Sequence, residues 1–280
     1  MTSLATVAKA YRHMWEEPCL TGSNGSGTVF FSGCNMKCIF CQNSEISHNC
    51  FGEKISEERL SEIFLELQQS GASNINLVTG TCFIPSIRNA LIIAKNNGLA
   101  IPVVFNCGGY ESEDSLRLLE GLIDIYMPDM KYASDDTAVE YSNSPSYFDT
   151  AKEAVKEMFR QTGPAVFDDN GLMKKGVIVR HLILPAHTGE SKRILRYLHE
   201  TYGNEIYISI MNQYTPMPSV RDHDLLSKKV SDNEYMRVID FAYKIGIENG
   251  FIQEGEAASE SFIPEWDLEG IKSSPALPYT

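Results

Sequence analysis

The feature that most restricts the fold of this 280-residue chain is a regular alternation of strand-like and helix-like segments. Thr28–Phe31 reads as a first strand, followed by a helix over Ser56–Ser70 with Leu60, Ile63, Phe64 and Leu67 on one face. Gly71 ends that helix. Asn74–Thr79 is a second strand, and Pro85–Asn97 a helix closed by Gly98. Ile101–Asn106 is a third strand with a short helix over Ser112–Leu119, and Ile123–Asp129 a fourth. Ala151, Ala154, Val155, Met158 and Phe159 mark the buried stripe of the next helix. Val177–Leu184 is a fifth strand, stopped by Pro185, and a helix runs over about Ser191–Thr201. Ile206–Met211 is the sixth strand. A last helix begins at Ser231, which has capping-box spacing to Glu234, and ends near Asn249–Gly250.

Six strands alternating with helices imply parallel pairing through right-handed crossovers. The strands lack a clean two-residue alternation, which fits burial on both faces. This is an α/β chain, and its pattern alone admits either a doubly wound sheet or a complete or partial barrel. Residues 1–27 read as an N-terminal arm. Residues 28–251 form the α/β body, and residues 252–280 a C-terminal tail that Phe262, Ile263 and Trp266 are placed to anchor.

Net charge narrows the partners. With 37 acidic against 24 basic residues the chain carries −13, which repels phosphate backbones, and no Lys/Arg stripe offsets it. Nucleic acid is therefore not an expected partner. Apolar runs such as Leu91–Ala94 are too short to span a bilayer, and Met1–Ala10 lacks the pattern of a signal peptide, so a cytoplasmic protein is expected.

The seven cysteines are Cys19, Cys34, Cys38, Cys41, Cys50, Cys82 and Cys107. An odd number without a secretion signal argues against a disulfide scaffold. Cys34, Cys38 and Cys41 crowd onto one short loop after the first strand. Iron–sulfur clusters are held by thiolates, and four irons normally take four. Three leave one iron open to a small chelating molecule. The alternative is structural zinc, which prefers four N/S ligands and would recruit Cys50 or His48; no second Cys-x-x-Cys supports it.

The run Cys34-Asn35-Met36-Lys37-Cys38-Ile39-Phe40-Cys41, an aromatic preceding its third cysteine, resembles the radical S-adenosylmethionine (SAM) superfamily. The longer stretch from Gly27 through Asn43 is similar to the branch related to pyruvate formate-lyase activating enzyme, and the likeness extends to about residue 214. The resemblance implies a partial (β/α)6 TIM-like barrel. It also implies a 4Fe-4S cluster on Cys34, Cys38 and Cys41, with SAM chelating the open iron. Reductive cleavage of SAM to a 5′-deoxyadenosyl radical would then take hydrogen from a substrate. In the activating enzymes that hydrogen comes from a glycine of a glycyl-radical enzyme, and an electron donor such as flavodoxin or ferredoxin supplies the electron. A radical SAM enzyme for a small molecule or another peptide is the first alternative. A non-catalytic zinc or cluster protein is the second.

Ligands of parallel βα folds gather at the C-terminal ends of strands. Here those ends carry Thr79-Gly80-Thr81, Asn106, Asp129 with Lys131, and Asn212 with Gln213. By the resemblance, Phe40 packs on the SAM adenine, although a core aromatic is an equal reading. Thr79-Gly80-Thr81 stands where the family has Gly-Gly-Glu, without the glutamate that holds the SAM ammonium group. Asp129 and Lys131 match the family's Asp-x-Lys, against a plain ion pair. Arg180, inside a buried strand, needs an anionic partner, and the family's arginine there approaches the SAM carboxylate. His181, on the opposite face, reads as structural. Cys82 and Cys107 read as apolar fillers beside strand ends. His13, Glu16 and Glu17 are placed to reach the barrel mouth.

Overall fold

The structure, a computed structural model, describes residues 4–252 and 264–272. Phe262 and Ile263 lie outside the described residues. The chain begins with β1 (Ala5–His13), the short helix α1 (Pro18–Thr21) and β2 (Ser26–Phe31). After α2 (Ser44–Ser47) and β3 (Glu53–Ile55) come α3 (Glu57–Gln69), β4 (Ile75–Val78), α4 (Ile84–Asn96) and β5 (Val103–Cys107). Next follow α5 (Glu113–Arg117), β6 (Ile125–Pro128), α6 (Asp135–Ser142), α7 (Tyr147–Thr162), β7 (Val166–Phe167) and β8 (Met173–Leu182). The series ends with α8 (Thr188–Tyr202), β9 (Tyr207–Met211), α9 (Asp232–Ile245) and β10 (Gly250–Ile252).

The expected α/β body is present. Strands β2, β4, β5, β6, β8 and β9 pair in parallel in that order, and β10 continues the parallel set beyond β9. The sheet runs from β10 at one edge to β3 at the other and does not close on itself, so the architecture is a partial barrel. Two strands beyond β2 were not legible in advance. β1 pairs antiparallel with β2, and β3 antiparallel with β1, so the stretch read as an arm extends the sheet.

Helix starts follow the sequence signals. Ser56, Ser112 and Ser231 each accept the N–H of the third residue of α3, α5 and α9 (Arg59, Ser115 and Glu234), and Ser231 with Glu234 completes a capping box. α9 stops earlier than expected, at Gly246, whose φ of 91° makes a left-handed cap. That stop frees Gly250–Ile252 to pair with β9.

Helices α3, α4, α7, α8 and α9 bury their apolar faces on the outer side of the sheet. On the inner side, α1 fills the barrel floor: Cys19 and Leu20 pack on Val104, Ile125, Met127 and Ile178. The polar inner-face residues Asn76, Asn106, Arg180 and Ser209 are left above this plug, along β4, β5, β8 and β9.

Candidate active site

The loop after β2 is fastened from several sides. The N–H groups of Lys37 and Ile39 donate to the carbonyls of Ser142 and Tyr141, at the end of α6. Asn35 Nδ2 donates to the Tyr110 carbonyl at 2.6 Å, and Ser219 Oγ to the Ile39 carbonyl at 2.6 Å. These bonds hold Cys34, Cys38 and Cys41 near one another and near Lys131. Cys38 is buried and receives a hydrogen bond from Ser142 Oγ at 2.9 Å; Cys34 receives one from the Met36 N–H at 3.4 Å. Ser142 is itself hydrogen-bonded to the Tyr132 hydroxyl at 2.5 Å.

This arrangement fits the thiolates of an iron–sulfur cluster. Among the described residues, no three Cys, His, Asp or Glu side chains converge as ligands of a single metal. Hydrogen bonds donated to sulfur are what the thiolates of an iron–sulfur cluster receive. Burial raises the Cys34 thiol to about 12, against the small opposing effects of the Met36 N–H and Lys131. Thiols so placed become thiolates when a metal centre supplies the positive charge.

Beside the loop is a cavity of about 180 Å³ lined by Cys38, Phe40, Cys41, Asp129, Lys131, Arg180, Met211, Gln213 and Tyr214, among others. Arg180 Nε donates to Asp129 Oδ1 at 3.0 Å, and its Nη2 to Asn106 Oδ1 at 2.9 Å. Lys131 pairs with the other Asp129 oxygen. Burial works against the Asp129 charge, but Arg180 and Lys131 overcome it and hold the carboxyl below its ordinary range. The cation Arg180 thus sits inside a central strand because β6 brings Asp129 beside it; the two residues form a parallel bridge.

The sequence-derived residues separate here. Cys38, Cys41, Phe40, Asp129, Lys131, Arg180 and Gln213 share one cavity, while Asn212 is not among its lining residues. Asn106 lines an adjoining cavity of about 170 Å³ with His13, Glu16 and Arg180. Phe40 is 7% exposed and packs edge-to-face on Tyr214 at 5.8 Å, so it serves the core and the cavity wall together. Thr79, Gly80 and Thr81 are not among the lining residues of these two cavities. Thr79 has a left-handed φ of 61°, and a Cβ on Gly80 would meet Ile87 Cδ1 at 2.6 Å. Thr81 Oγ1 donates to Glu111 Oε1 at 2.8 Å.

Glu111 was missed by sequence reasoning. It is 1% exposed, its second oxygen has no hydrogen-bond partner, and burial raises its carboxyl. It places a carboxylate beside Thr81, on the neighbouring strand end. His181 faces away from the cavity, with Nδ1 on the Met130 carbonyl at 2.7 Å, and burial lowers it to about 4. Cys107 is buried beside Glu111, Cys19 belongs to the barrel plug, and Cys50 and Cys82 are exposed.

Comparisons with known proteins agree with this fold. The family model described as Radical SAM superfamily matches residues 28–198. An uncharacterized protein of Methanocaldococcus jannaschii (MJ0674) is 27% identical over 250 residues, which is 85% of this chain and 67% of that relative. Among solved structures, Streptococcus suis SuiB bound to the precursor peptide SuiA aligns with a TM-score of 0.54 at 13% identity, over 80% of this chain and 47% of that one. Native anSMEcpe with bound AdoMet aligns at 0.54 and 11% identity, over 79% and 61%. The maturase HydG of Carboxydothermus hydrogenoformans aligns at 0.53 and 14%, over 85% and 60%. The chain therefore spans about half the length of SuiB.

Proposed function

The chain belongs to the radical SAM superfamily, and on that premise we propose that it is an activase-like enzyme that removes a hydrogen atom from a glycine of a partner polypeptide. The family uses a 4Fe-4S cluster and S-adenosylmethionine. When bound, that pair supplies a one-electron reductive cleavage of SAM whose carbon radical takes a hydrogen atom. The observation that carries the reading is the convergence of the Cys34–Cys41 loop with Asp129, Lys131 and Arg180 on one cavity at the strand ends.

The chain's own residues have distinct work in this reading. Cys34, Cys38 and Cys41 hold the cluster, with Ser142 and the Met36 N–H as donors to sulfur. Asp129 keeps Arg180 and Lys131 in place as cations. Those cations favour a carboxylate in the cavity, and Phe40 and Tyr214 offer aromatic walls. Residues 28–251 act as the catalytic barrel, with residues 1–27 and 252–280 as arm and tail. A flavodoxin- or ferredoxin-like donor would supply the electron. SuiB, a neighbour in fold, was crystallised with a precursor peptide, which supports a polypeptide substrate.

A second reading, a small molecule or a different peptide as substrate, is favoured by a cavity of about 410 Å³ adjoining the first, which lies in the size range of small-ligand sites. Anaerobic reconstitution with iron and sulfide, reduction and addition of SAM tests the shared chemistry. Methionine and 5′-deoxyadenosine are expected from the wild type and not from Cys34→Ala; equal product from both sinks it. A glycyl-radical signal in a co-expressed partner separates the two readings, and its absence with every candidate partner favours the second.

A further inference from the structure

The segment after β1 carries chemistry into the barrel. Beyond His13 the chain turns inward, and Glu16 and Glu17 precede the plug helix α1. Glu16 Oε1 accepts from Asn76 Nδ2 at 2.9 Å, and its Oε2 lies 3.8 Å from Arg180 Nη1. The Glu16 side chain is 9% exposed. Asn76, on the inner face of β4, is fully buried, and its Oδ1 has no hydrogen-bond partner.

The buried charges do not cancel. Glu16 and Glu17 face Arg180, and Arg180 already pairs with Asp129. Arg180 is too far from Glu16 for a hydrogen bond. An excess carboxylate in such a place is costly unless a proton or a cation joins it. Burial and the neighbouring Glu17 push the Glu16 carboxyl up to about 7 despite Arg180.

A cavity of about 410 Å³ opens beside these carboxylates, with Trp15 and Phe251 in its wall. It meets the cluster-side cavity at Arg180, Met211 and Gln213. Arg180 also lines this wall but is already paired with Asp129, so the carboxylates and the indole and phenyl rings complement a cation with N–H donors.

We propose that this cavity binds an ammonium or guanidinium group of the substrate, held by Glu16, beside the radical-generating pocket. The site deepens the radical SAM reading and rests on it for the fate of the neighbouring C–H bond. The cation preference itself is measurable without turnover.

The test is calorimetric titration of the reconstituted holoenzyme. Nα-acetyl-lysine and Nα-acetyl-arginine methylamides represent peptide side chains. Cadaverine and agmatine represent free amines, and Nα-acetyl-norleucine methylamide is the uncharged control. Cationic probes should bind at least about tenfold more tightly than norleucine, the scale of one charged hydrogen bond. Glu16→Gln should abolish that preference, Glu16→Asp should retain it, and Glu200→Gln on the outer surface should leave it intact. Tighter binding of the blocked amino acids assigns the group to a peptide, and tighter binding of the amines assigns it to a small molecule; both support the cation site. The site is overturned if norleucine binds as well as lysine, if no probe binds, if Glu16→Gln keeps the preference, or if SAM displaces the cations. Formation of 5′-deoxyadenosine is followed separately: its absence with cation binding intact removes the radical reading alone, and its presence without cation binding removes the cation site alone.

Discussion

At the scale of single residues, Asp129 decides whether Arg180 can occupy a central strand. The guanidinium has Asp129 at 3.0 Å and Asn106 at 2.9 Å, and Lys131 sits on the other Asp129 oxygen. Removing Asp129 strands two largely buried cations. Breaking a buried pair on one side costs about 3–5 kcal/mol, whereas replacing both partners by apolar groups costs far less. Asp129→Ala is therefore expected to lower unfolding free energy by about that amount in urea titrations. The double variant Asp129→Ala with Arg180→Met should recover part of it. Simple additivity of the two losses would show that the pair is not coupled as drawn. The sequence disclosed the need for a partner, because an arginine within an apolar strand has few alternatives. It placed Glu16 near the barrel mouth but did not disclose its contact with Asn76, far along the chain, nor Glu111, whose neighbour Thr81 lies across a strand gap.

Elements were legible where local chemistry sets them. Amphipathic stripes and serine caps placed α3, α7, α8 and α9, and apolar runs ending in polar residues placed β4, β5, β6 and β9. β1 escaped because Ala5–Ala10 is rich in small side chains and interrupted by Lys9, which is buried only through its ion pairs with the tail. β3 and β10 are three residues each and exist through pairing, a long-range property. The face assignment within β8 was also local: Arg180 faces the cavity, and His181 turns to the Met130 carbonyl on the other side. That placement has a pH consequence. Burial holds His181 neutral down to about 4, against an ordinary value of 6.5. The unfolded chain binds this proton below about pH 6.5, so the associated stability is complete above that value and declines as pH falls towards 4. The loss is on the order of 3 kcal/mol. His181→Phe should flatten the fall in urea midpoint between pH 6.5 and 4; an unchanged slope would place the titrating group elsewhere.

At the scale of the whole molecule, the open sheet is fastened by its chain ends. α1 plugs the floor from inside, and residues 264–272 cross β1, β2 and α3 from outside. Lys9 pairs with Asp267 at 2.9 Å and Glu269 at 3.1 Å, Trp266 packs on Phe30 at 5.2 Å, and the Ala10 N–H donates to the Glu269 carbonyl. Arg59 is the second clasp. It donates to the carbonyls of Ile271, Gly270 and Lys272 at 2.9, 3.2 and 3.2 Å while both its terminal nitrogens bond Glu66. A lysine carries charge but not the planar fork that reaches three carbonyls and a carboxylate together. Arg59→Lys is therefore expected to loosen the strap without unfolding the barrel, since the strap's opening is a local event separable from the core. Hydrogen exchange should quicken by about tenfold or more at the Glu269 and Ile271 amides and stay unchanged at β5 and β6. Because Pro264 lines the cavity that also holds His13, Glu16 and Arg180, such opening would reach the mouth of the barrel. Equal quickening in the strap and the central strands would mean that the strap is part of the global folding unit, and unchanged exchange at both would mean that Arg59 does not clasp it.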